Sequence, residues 1–185
     1  MTVTMNCSPP AEAEIVRANL ADLPALARLA EVIWREAYAG IISAAQIDYM
    51  LAKMYAVPKL QDEIQSQGII YFRLLVQGEF TGFAALGPLD SPARWKLHKL
   101  YLLPSRHGQG LGTKLLQHCE HEARSAGATE LRLNVNKQNA KAIAAYQRNG
   151  FQIAESVRVE IGGGFVMDDF VMAKDLTGPR KDGSR

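Results

Sequence analysis

The chain has 185 residues, 48% of them apolar and 22% charged, which suits one globular domain with its own core and excludes wholesale disorder. Its formal net charge is +2, so bulk charge demands neither nucleic acid nor an anionic membrane. Two cysteines, Cys7 and Cys119, exclude a disulfide scaffold and fit free thiols in a reducing compartment. No apolar run approaches the ~18 residues of a membrane span, and the first ten residues lack the basic start and apolar middle of a secretory signal. The expected location is the cytoplasm.

Residues 1–13 show no periodicity and read as a flexible N-terminal segment; 177–185 read as a flexible tail. The domain proper is expected over 14–176. A short strand is expected at 14–19. Asp22 is placed to cap a helix whose apolar face is Leu23, Leu26, Ala30, Ile33 and Ala37. Ser43 and Gln46 form a capping-box pattern, with Ile42 and Ile47 as the flanking staple. Pro58 opens a third helical piece to about Gln67.

The period then changes to two. Strands are expected at 69–77 and 80–86, with Gly78-Glu79 as a type II′ hairpin loop. A further strand at 94–103 splits by alternation. Lys96, His98, Leu100 and Leu102 face one way; Trp95, Leu97, Lys99 and Tyr101 face the other. A glycine-rich loop follows at 104–112, then a helix stopped by Gly127. Next come a strand at 131–135, a helix at 139–149, and a closing antiparallel pair at 151–157 and 165–174. Strand–helix–strand from Arg94 to Val135 implies a parallel pair. The fold class is a mixed α/β sheet, mostly antiparallel with one parallel pair, flanked by helices.

The loop reads Arg106, His107, Gly108, Gln109, Gly110, Leu111, Gly112, Thr113. It leaves a strand and opens a helix, where unpaired N–H groups and the helix dipole favour phosphate. It lacks the Lys and Ser/Thr spacing of a P-loop and the third glycine of a dinucleotide fingerprint. A phosphotransferase reading therefore fails, and a plain tight turn stays open.

The run Leu100-Tyr101-Leu102-Leu103-Pro104-x-x-x-Gly108-x-Gly110-Leu111-Gly112 resembles motif A of the GNAT (Gcn5-related N-acetyltransferase) superfamily. His107 stands where that family usually has Arg or Gln. A second block, Asn139-x-x-Ala142-x-x-x-Tyr146-x-x-x-Gly150-Phe151, is similar to another family signature. The resemblance covers about 14–176 and implies an acyl-CoA N-acyltransferase fold with acetyl-CoA as co-substrate and an amine acceptor.

It further implies that the amides of His107 to Thr113 hold the pyrophosphate, helped by the side chain of His107 or Arg106. Leu100, Tyr101 and Leu102 lie along the pantetheine arm, with an N–H near Leu102 polarising the acetyl carbonyl. Tyr146 corresponds to the family's usual general acid. Asn139 has a cofactor role, a helix N-cap role, or both. His98, on the strand leading to the site, is the candidate base. Trp34, Tyr38, Tyr49, Met54 and Tyr55 line an acceptor groove or pack the core. Of Asp168 and Asp169, at most one faces the site. Neither cysteine is expected near the chemistry. No metal site is indicated. A non-catalytic acyl-CoA sensor is the alternative, and a homodimer is left open.

Overall fold

The computed structural model describes residues 12–178; Cys7 and most of both expected tails lie outside them. The chain runs β1 (Ala13–Arg17), α1 (Leu23–Ala37), α2 (Ala44–Met54), α3 (Val57–Gln65), β2 (Ile70–Val76), β3 (Glu79–Ser91), β4 (Arg94–Leu102), α4 (Leu111–Ser125), β5 (Glu130–Asn136), α5 (Ala140–Arg148), β6 (Gln152–Gly162) and β7 (Phe165–Asp175). Every expected element is present in order. The seven strands form one sheet, ordered β1-β2-β3-β4-β5-β7-β6. Only the β4–β5 pair is parallel.

Two apolar clusters lie on the two faces of the sheet. One holds Leu111, Leu115 and Cys119 of α4 with Leu97, Leu133 and Met172, and takes in Ile143 and Tyr146 of α5. The other holds Leu26, Ile33, Ile47 and Leu60 of α1–α3 with Tyr71, Phe83 and Ala85.

Local chemistry departs from the sequence reading at three starts and turns. Asn19, not Asp22, is the capping residue: it accepts from Ala21 N–H at 2.8 Å and opens a 3-10 turn before α1. Asp22 instead pairs with Arg73 at 2.9 Å. Ser43 does cap α2, accepting from Gln46 N–H at 3.2 Å. The Gln46 amide, however, donates to Val166 O at 2.9 Å, tying α2 to β7 rather than closing a capping box. The β2–β3 loop is Gln77-Gly78, since Val76 pairs with Glu79 and both loop residues have positive φ, 53° and 78°. That is the signature of a type I′ turn.

Candidate active site

β4 carries an extra residue. Ala85 of β3 pairs with Lys99, but Leu86 pairs with Leu97, so His98 is a bulge. A bulge reverses the alternation beyond it. Trp95 and Leu97 therefore share the α4 face with Leu100 and Leu102, while Tyr101 joins the α1–α3 face. This corrects the alternation read from sequence, which put Leu97 with Tyr101.

Past the bulge the sheet opens. The β4–β5 pairing runs from Arg94↔Glu130 to Leu97↔Leu133 and stops. β4 continues to Leu102 paired only with β3, and β5 continues to Asn136 paired only with β7. The result is a wedge between two strand edges. β3 lies tightly against its lip: a Cβ on Gly82 would meet Tyr101 O at 2.7 Å.

The glycine loop closes the end of this wedge. Gly108 and Gly110 have φ of 76° and 75°, and Gly110 caps α4 with no side-chain hydrogen bond. The first helical bond is donated by Lys114 to Gly110 O, so the amides of Leu111, Gly112 and Thr113 have no helical acceptor. The loop's side chains are otherwise engaged. Arg106 pairs with Glu79 at 2.8 Å, His107 Nε2 lies 3.3 Å from Leu102 O, and Gln109 donates to Ser105 O at 3.2 Å. Of the two side chains expected to help with phosphate, both are turned back onto the protein. Main-chain amides are what the loop leaves over.

Tyr146 lies half-buried on α5, its ring edge-on to Phe151 at 5.7 Å between centroids. Its phenol is pushed above its ordinary pKa, chiefly by burial, with smaller contributions from Tyr38 and Cys119. Cys119, expected far from the chemistry, thus lies within electrostatic reach of it. Asn139 caps α5, accepting from Ala142 N–H at 3.1 Å.

On the opposite face, Trp34 and Tyr55 are buried and joined by a 3.1 Å hydrogen bond, so they are core. Tyr49 donates to Ile161 O at 2.7 Å. Tyr38 stacks on Trp34 at 4.4 Å and interacts with Tyr101. His98 is driven down to a pKa of about 4 by burial and by the charges of Lys96 and Lys99. Its Nε2 is buried with no partner.

One feature of the neighbourhood has no sequence signature. Lys99, the residue after the bulge, reaches Glu63 of α3 at 2.5 Å and the Tyr71 hydroxyl at 2.6 Å; Tyr71 in turn donates to Glu63. Both charged side chains are buried. No periodicity links residues so far apart in the chain.

The Acetyltransferase (GNAT) family matches residues 27–151. This chain belongs to the GNAT family. As a GNAT protein it is an N-acetyltransferase, like the relatives it matches across most of their length. It is 30% identical over 159 residues to the spermidine N(1)-acetyltransferase of Thermoplasma acidophilum, covering 84% of this chain and 95% of that one. The PaiA N-acetyltransferase of the same organism, solved with coenzyme A, superposes with TM-score 0.75 at 29% identity over 89% of this chain and 99% of that one. The ribosomal-protein-S18-alanine N-acetyltransferase of Escherichia coli shares the fold, with TM-score 0.68 at 22% identity, over 94% of this chain and 100% of that one.

Proposed function

We propose that this GNAT protein moves an acetyl group from acetyl-CoA to the primary amine of a small cationic acceptor, with Tyr146 as general acid. The observation that carries the reading is the opening between β4 and β5, ended by partner-free amides at the start of α4. The residues present fit a pantetheine diphosphate. Gly112 makes the point: an alanine Cβ there meets only Leu102 Cδ1 at an ordinary 3.8 Å, so nothing inside the protein requires glycine. A bare backbone at that helix start leaves room for phosphate oxygens. When bound, acetyl-CoA supplies an activated thioester.

The side chains of Leu100 and Leu102 pack into the core, which leaves the unpaired β4 edge to bind as one strand binds another. The amide near Leu102 is then a preorganised donor for a developing oxyanion. Asn139, at the mouth, has its cap bond satisfied through Oδ1 and keeps its amide N–H₂ for a ligand carbonyl.

Burial raises the Tyr146 phenol, which by itself makes it a poorer acid. The same burial raises a thiol: Cys119, alongside, is likewise pushed up by desolvation. A thiolate leaving in that environment gains proton affinity as the phenol does, so the transfer stays close to the ~1.5-unit difference between a phenol and a thiol in water.

His98 fits the base role less well than its position suggested. With a pKa near 4 it is neutral and weakly basic at pH 7. The acceptor class draws support from the spermidine-acetylating relative. Thiol release from acetyl-CoA across a panel of spermidine, other amines, peptides and aminoglycosides tests the reading. Turnover is expected with a small cationic amine; calorimetric CoA binding without turnover of any acceptor overturns it.

A further inference from the structure

The two aspartates on β7 have opposite fates. Asp168 is exposed and ion-paired with Lys137. Asp169 is 3% exposed and has no side-chain hydrogen bond or ion pair to any described residue. Burial pushes its carboxyl above the ordinary carboxylate range in spite of the cations Lys96 and Lys137, and ionisable groups held out of water are candidates for function.

Register places it. Leu133↔Met172 and Val135↔Phe170 lie on the α4–α5 face, so the Asn136↔Asp169 pair lies on the other, beside α1. There Asp169 interacts electrostatically with Tyr38 of the α1 end and with Lys96 of β4; Asp168 and Lys137 are the other charges that reach it. Asp169 lies behind the wall of a polar cleft of about 320 Å³: its pairing partner Asn136 and its chain neighbour Asp168 line that cleft with Ser43, Gln46 and Lys137, the last neutralised by its ion pair with Asp168. The cleft lies at the Asn136 end of β5, beyond the last β4–β5 pair at Leu97 and Leu133.

We propose that Asp169 receives the ammonium group of a cationic acceptor entering through this cleft and takes its proton. The inference rests on the acetyl-transfer reading above. The bonds balance as follows. R–NH₃⁺ gives one proton to the Asp169 carboxylate, which later yields it to water. The freed amine nitrogen forms the C–N bond as the C–S bond breaks. The departing sulfur takes the Tyr146 proton, and the second proton lost by nitrogen restores Tyr146.

Asp169→Asn keeps the shape and removes the charge. With whichever cationic amine the wild type acetylates, kcat/KM is expected to fall about tenfold or more at pH 7. The deficit shrinks as pH rises toward the amine's own pKa, where the free base needs no acceptor. Calorimetry on the unloaded protein is expected to show CoA binding unchanged and spermidine binding weakened. Thermal melts are expected to show D169N about as stable as wild type, because the desolvation cost of the carboxylate is gone along with its attraction to Lys96 and Lys137. Activity within twofold of wild type, or a deficit that does not change with pH, overturns the proposal while leaving acetyl transfer intact. A wild-type protein that binds CoA but acetylates no amine overturns both.

Discussion

Tyr146 stands on α5 against one face of the sheet and Tyr38 at the end of α1 against the other, yet their phenols interact electrostatically. A closed sheet would separate them. They reach each other because β4 and β5 part beyond Leu97 and Leu133.

If Tyr146 protonates the leaving sulfur, Tyr146→Phe removes only the proton. An approximately 10²-fold fall in kcat is expected, within the range for a general acid, with the CoA dissociation constant unchanged by calorimetry. Undiminished turnover rejects the acid role.

The Glu63–Lys99 pair fastens the bulged strand to α3. Removing one partner of a buried pair strands the other, so Lys99→Met or Glu63→Gln is expected to cost about 3–5 kcal/mol in urea unfolding. Replacing both by apolar residues is expected to recover most of the loss, since no charge then remains buried.

Gly110 and Gly112 are expected to separate folding from binding. Alanine at Gly110 must adopt a φ near 75°, which costs roughly 1–2 kcal/mol. Alanine at Gly112, in the first turn of α4, is expected to raise stability by up to about 1 kcal/mol through helix propensity. It is also expected to weaken CoA by crowding the anion site. Thermal melts with and without CoA read both effects.

His98 makes stability depend on pH. Its folded pKa, about 4, lies below the 6.5 of free imidazole, so the unfolded chain binds the extra proton between those values. The stabilisation is whole above pH 6.5, is lost as pH falls toward 4, and amounts to about 3 kcal/mol at most. His118 shifts in the same direction. Urea titrations from pH 7 to 4 are expected to show a shallower slope for His98→Asn than for wild type.

Much of this was legible before any coordinates. The glycine loop, Tyr146 and Asn139 lie in short contiguous patterns whose chemistry is local: a turn needing positive φ, a helix start, a cap. Their placement at one end of the sheet follows from element order and the single parallel crossover. The bulge at His98 was not legible, because alternation has no mark for an extra residue when both neighbours are apolar or amphipathic. Nor was the choice between Asp168 and Asp169, which depends on the register of β7 against β5.

Sequence alone determined the order of elements, the family, and the glycine turn that opens α4, since periodicity, caps and glycines act over a few residues. Tertiary structure decided which groups meet: Lys99 with Glu63, and Asp169 with Asn136. Those pairings follow from strand register and from where two strands part, and both are set by packing between segments distant in the chain.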